Sequence, residues 1–190
     1  MRRTGLILAI LAAGCTRALP PAPPVCPAAA LSEAAPRRGV PVEDTREGAC
    51  LAARGLAGDT AAALQLGDFY DSLPATLPLI DRRGRELFWY RHAADHGSPQ
   101  AAWSAAQLID RDIDLQVPND ALAYAIFAFR HGIDEAGDFL VEQYQDGRID
   151  PGKLWGLKRW MNTPGALSPE RRKAMQEGFA KPADELEEEG

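Results

Sequence analysis

Residues 82–110 read RRGRELFWYRHAADHGSPQAAWSAAQLID, and the fold follows from how that stretch divides. Before Gly97, the residues Leu87, Tyr90, Ala93 and Ala94 recur at spacings of three and four. After it, Ala101, Ala102, Ala105, Ala106 and Ile109 do the same. Such spacing gathers each set on one face of a helix. A glycine between them can take the left-handed conformation that ends the first helix. Ser98-Pro99 suits the start of the second, a capping hydroxyl followed by a residue whose fixed φ fits the first turn. The stretch therefore predicts two helices packed closely through alanines.

The same signal occurs on either side. Gly58-Asp-Thr-Ala-Ala precedes the stretch and Gly132-Ile-Asp-Glu-Ala follows it, so the glycines lie 39 and 35 residues apart (97 − 58 and 132 − 97). Four residues beyond each glycine stand Ala62, Ala101 and Ala136; eight beyond, Leu66, Ala105 and Leu140; twelve beyond, Tyr70, Ile109 and Tyr144. Self-similarity at this period is the mark of a helical repeat array, in which each unit buries its apolar face against the next. The fold class it predicts is all-α: a short right-handed solenoid of about three helix hairpins with a C-terminal capping helix.

These residues resemble the Sel-one-like repeats, helical hairpins related to tetratricopeptide repeats. The resemblance rests on Gly58, Ala62-Ala63, Leu66-Gly67, Tyr70, Trp89-Tyr90, Ala93-Ala94 and Gly97. It is looser in the third unit, where Ala125 replaces the second aromatic and Val141 replaces the glycine of Leu-Gly, and it fades after Gly147. It covers about half of the chain. It implies the fold and a habit of binding other proteins, and it implies no catalytic residues.

Outside the repeats the chain divides into further segments. Arg2, Arg3 and the apolar run from Leu6 to Ala13 predict a signal peptide over 1–14, since eight residues are too few to span a bilayer. Leu11-Ala12-Ala13-Gly14-Cys15 resembles a bacterial lipoprotein cleavage box, which implies lipidation at Cys15 and attachment to the cell envelope, with the outer membrane the expected destination because Thr16 follows the cysteine. Residues 15–41, with seven prolines among alanines, predict a semi-extended tether. The helical domain is expected over 42–180, with an opening helix over 42–56, a loop over 72–83, a second over 110–118, a helix from Gly152 to Met161 and a last one that starts at the Ser168 cap and closes the stack. The acidic residues 181–190 are expected to be a disordered tail.

The formal charge is −6, and removal of residues 1–14 takes away Arg2 and Arg3 and no acid, leaving −6 − 2 = −8. An acidic domain with no basic patch is a poor partner for nucleic acid. Asp110, Asp112 and Asp114 have the start of a calcium-loop spacing, but Leu115 and Ala121 stand where such a loop needs glycine and glutamate. His92 and His96 share a helix face, but Ala93 stands where a zinc protease carries its glutamate. No metal, cofactor or catalytic residue is expected. Once Cys15 is set aside, Cys26 and Cys50 either form a disulfide or remain two free thiols. Trp103 and Phe139 fall outside the deepest repeat positions, and with Gln65, Asp68, Gln107 and Glu142 they outline an expected partner-binding surface on the first helices.

The expected function is that of a membrane-tethered interaction module facing the periplasm. The resemblance implies one concrete version, an immunity protein that blocks a secreted lipase effector, and an envelope adaptor for cell-wall machinery as the alternative. A hydrolase of the cysteine-rich, β-lactamase-like repeat type is the rival class. Those members carry a disulfide in each repeat, and this chain has cysteines for one.

Overall fold

The computed structural model describes residues 39–74, 81–111, 120–149 and 154–180, together with Cys26, Leu31 and Gly152. Its described residues are all-helical: α1 (Arg46–Leu56), α2 (Thr60–Ser72), α3 (Arg82–Asp95), α4 (Pro99–Arg111), α5 (Asp120–Arg130), α6 (Asp134–Gln145), α7 (Trp155–Met161) and α8 (Pro169–Gly178), preceded by a 3-10 turn, Val42–Asp44. The signal peptide, Cys15, the segment 112–119 and the acidic tail lie outside the described residues.

The glycines mark one turn used four times. At Gly97 the backbone has φ +96°, which an L side chain rarely adopts. Gly97 N–H donates to Ala94 C=O at 2.8 Å and Ser98 N–H to Ala93 C=O at 3.0 Å, a paired closure that satisfies carbonyls a helix end leaves free. The same pair of bonds closes the turns at Gly58, Gly132 and Gly147. Ser98 Oγ then accepts from Ala101 N–H at 3.2 Å, and Asp59 Oδ1 from Ala62 N–H at 3.1 Å, so the next helix is capped as it begins. After Gly147 no helix follows at once. The helix expected from Gly152 is shorter than predicted and begins at Trp155, just after the buried Leu154.

From α1 to α6 each helix packs on the next, α6 packs on α8, and side-chain contacts also skip one helix. His92 Nε2 on α3 lies 3.0 Å from the Gly55 carbonyl of α1, Arg91 Nε donates across to Tyr124 Oη of α5 at 3.2 Å, and Phe129 of α5 meets Trp160 of α7 edge to face. On the even-numbered helices, Trp103 of α4 meets Phe139 of α6, and Tyr144 of α6 meets Phe179 just past α8. The core between is lined by Ala62, Ala63, Leu66, Ala93, Ala101, Ala102, Ala128, Ala136 and Leu140, all buried. Alanines let the helix axes approach, and this explains why the pattern of small residues is so regular.

Rings fill what glycines leave open. A Cβ at Gly67 would lie 2.5 Å from the Tyr90 ring, and one at Gly137 2.6 Å from Phe129. In the third unit the bulky Val141 stands at the position of Gly67, and the space is supplied from the other side: a Cβ at Gly178 of α8 would lie 2.7 Å from Val141 Cγ1. The departure from the repeat pattern at Val141 is thus matched by a glycine on the closing helix.

The start of the domain is held by two devices. Cys26 is disulfide-bonded to Cys50 of α1. Of the two alternatives for the cysteines the disulfide is therefore the one formed, and it holds Cys26 of the expected tether to the domain. Cys26 and Leu31 also pack against the core. The Glu43 carboxylate then accepts from Tyr70 Oη, from Trp89 Nε1 at 2.7 Å and from Arg85 at 3.5 Å, while Tyr70 Oη accepts from Val42 N–H at 3.1 Å. Two buried aromatic donors converge on one acid and clasp the 3-10 turn to α2 and α3.

Candidate binding cleft

Where α2, α3 and the outer face of α4 meet, they leave an open cleft of ≈330 Å³ lined mostly by polar side chains. Each wall is placed by a local feature of the sequence. Arg82, at the start of α3, donates to the carbonyls of Tyr70, Asp71 and Leu73 at 3.3, 3.4 and 2.8 Å and so finishes α2. Asp81 has φ +62°, and its Oδ1 accepts from Gly84 N–H at 3.1 Å, which starts α3. With both helix ends fixed, Asp71 stands at the mouth beside Arg83, and Glu86 and Tyr90, one turn apart, face inward.

Glu86 is 2% exposed, the most buried acid among the described residues. Arg83 donates to its Oε2 at 2.6 Å and reaches Asp71 at 3.4 Å. Burial pushes the Glu86 carboxyl above the usual carboxylate range, with Arg83 pulling the other way. Tyr90 Oη donates a hydrogen bond to Asp68 Oδ1 at 3.0 Å. Burial and the charge of Asp68 raise the Tyr90 phenol, and burial likewise raises Asp68. On the opposite wall Ser104, Gln107 and Arg111 follow at spacings of three and four on α4, one face of one helix. Among the described residues none of these three has a hydrogen-bonding or ionic partner, so the wall presents open donors to the cleft.

The expected surface residues separate here. Gln107 lines the cleft, and Asp68, exposed on α2, is the acceptor for Tyr90. Trp103 and Phe139 are half-buried and packed on each other, ring centroids 5.6 Å apart. Gln65 and Glu142 are exposed. Asp68, Gln107 and Glu142 are equivalent, each ten residues past its glycine (68 − 58, 107 − 97, 142 − 132). Glu86 and Arg111 were not anticipated. The signal for Glu86 was its place four residues before Tyr90, on the face that is buried.

The histidines are used locally. His92 Nε2 is taken up by the Gly55 carbonyl, and His96 Nδ1 lies 2.8 Å from the His92 carbonyl, with the two rings tilted at 43°. Asp110 is bonded to Gln143 Nε2 at 3.2 Å and paired with Arg148 at 3.6 Å, while Asp112 and Asp114 fall outside the described residues. Among the described residues no three His, Cys, Asp or Glu side chains are grouped to hold a metal ion, and no helix is long and apolar enough to cross a membrane. Comparison with protein-family models, curated proteins and solved structures returned no match.

Proposed function

We propose that the chain is a membrane-tethered, Sel-one-like solenoid of about three hairpins that binds another protein in the periplasm, with a secreted lipase effector as the concrete partner and the domain as its immunity factor. The carrying observation is the contact of Trp103 with Phe139, which ties α4 to α6. Equivalent polar residues then recur along one side, Asp68, Gln107 and Glu142, which is how a stacked array offers a partner an extended face. The two aromatics support that face from beneath rather than anchoring the partner themselves. The Cys26–Cys50 disulfide supports the choice of an oxidising compartment. Lipid on Cys15 would supply the tether.

The test is capture of the partner from a detergent extract of the envelope by the full chain. Asp68 is tied to Tyr90, so the informative charge reversal is at exposed Glu142, with Gln65→Lys beside it. Glu142→Lys should weaken capture, most clearly at low salt, because rim charges act through association rate, and it should leave the melting temperature unchanged. Cys15→Ser should keep capture and lose the membrane fraction. Capture indifferent to Glu142→Lys and Gln65→Lys at low salt would reject this face, and a Cys15→Ser chain that still sediments with membranes would reject the anchor.

A further inference from the structure

The cleft between α2, α3 and α4 has its charges sorted by wall. The α2–α3 wall carries Asp71 and Glu86 against Arg83, a net of −2 + 1 = −1, and the α4 wall carries Arg111, a net of +1. Hydrogen-bonding capacity is sorted in the same way. Glu86 can accept about four hydrogen bonds as a carboxylate and shows one, from Arg83. Ser104, Gln107 and Arg111 present donors that nothing among the described residues uses. Leu108 and the Tyr90 ring form the apolar part of the lining. A cleft that is acidic on one wall, cationic on the other and sized at ≈330 Å³ matches a small dipolar molecule better than an ion of either sign.

We infer that this cleft is a binding site for a zwitterion of amino-acid or dipeptide size, its ammonium group toward Glu86 and Asp71 and its carboxylate toward Arg111, Gln107 and Ser104. The ammonium takes up the unused acceptor capacity of Glu86 without displacing Arg83, which keeps Asp71 at the mouth. The carboxylate accepts from the α4 side chains, and a guanidinium can meet it with two parallel N–H donors. The site shares Gln107 with the proposed partner-binding face, but the test positions of that face, Glu142 on α6 and Gln65 on α2, are not among the lining residues, so the two tests can fail separately.

The experiment is a titration of the full chain, followed by calorimetry and by amide chemical shifts. The probes are glycine, lysine, glutamate and the dipeptide Ala-Ala, each beside its N-acetylated and C-amidated form. At least one free zwitterion should bind saturably, with shifts centred on α3 and α4. Blocking either end should weaken it roughly tenfold or more, and so should Arg111→Met and Gln107→Ala. Arg111 is exposed, so its variant keeps the fold and an unchanged melt certifies it. Amino acids preferred over dipeptides would identify a free metabolite as the source, and the reverse a peptide fragment. Absence of saturable binding up to about 10 mM of every probe, a range that already reaches very weak complexes, overturns the inference. So does equal binding of the blocked forms, or binding that Arg111→Met leaves unchanged.

Discussion

Gly67→Ala adds one methyl group at the closest approach of α2 and α3. The new Cβ would lie 2.5 Å from Cδ1 and Cε1 of Tyr90 and 3.2 Å from Cγ, against an ordinary carbon separation of about 3.5–4.0 Å. The ring cannot turn aside cheaply, because Tyr90 is buried and its hydroxyl is bonded to Asp68 at 3.0 Å. Relief of about 1 Å must come from moving α3 off α2 or from breaking that bond. Overpacking of this kind costs about 1–3 kcal/mol, and a lost hydrogen bond about 0.5–1.5 kcal/mol more. Alanine returns about 0.5–1 kcal/mol through its better helix propensity. The expected net is a destabilisation of about 1–3 kcal/mol. Gly156→Ala is the control: it is also within a helix, a Cβ there meets nothing within 4 Å, and it should be neutral or stabilising. Urea unfolding of both variants checks the sign. A Gly67→Ala domain as stable as the parent would refute the close packing of Tyr90 on α2.

Two further outcomes follow from acids that accept hydrogen bonds inside the fold. Glu43→Ala removes the shared acceptor of Tyr70 and Trp89 and should cost about 2–5 kcal/mol by thermal melt, whereas Glu43→Gln keeps an acceptor for Trp89 Nε1 and should cost less. Glu86 titrates above its ordinary value of 4.5 in the folded state, so the folded chain holds the proton longer than the unfolded one. Stability from this group is therefore full below pH 4.5 and is lost as pH rises through the raised folded value. Glu86→Gln should flatten that part of the stability profile; a profile identical to the parent's would remove Glu86 as its cause.

The order of helices was legible because it is written in glycines and alanines at fixed offsets, and local turn chemistry decides where helices end. Gly58, Gly97 and Gly132 all take the conformation their spacing implied, with φ of +94°, +96° and +97°. The start of α7 was misplaced at Gly152 because proline and glycine signal a helix start without fixing the residue at which it begins, which here follows the buried Leu154. The clasp at Glu43 was invisible for a different reason. Its partners are 27 and 46 residues away, and nothing in the local pattern of Val42–Asp44 distinguishes a buried acid from a solvated one. Val141 was read as a defect of the repeat, and only the packing of α8 shows that Gly178 complements it.

On the proposed anchor at Cys15, the Cys26–Cys50 bond would set how far the domain can travel. If Cys15 carries the lipid, eleven chain steps (26 − 15) separate the anchor from the disulfide. At full extension they reach about 40 Å, less than the length the proline-rich segment would give if it ran free to residue 39, roughly 85 Å. A shorter leash confines the domain to a thin shell above the membrane and raises its effective concentration toward anything else held in that shell. With a lipid on Cys15, the crosslink would act on encounter as well as on stability: it would favour targets that sit at the bilayer surface over those that diffuse away from it.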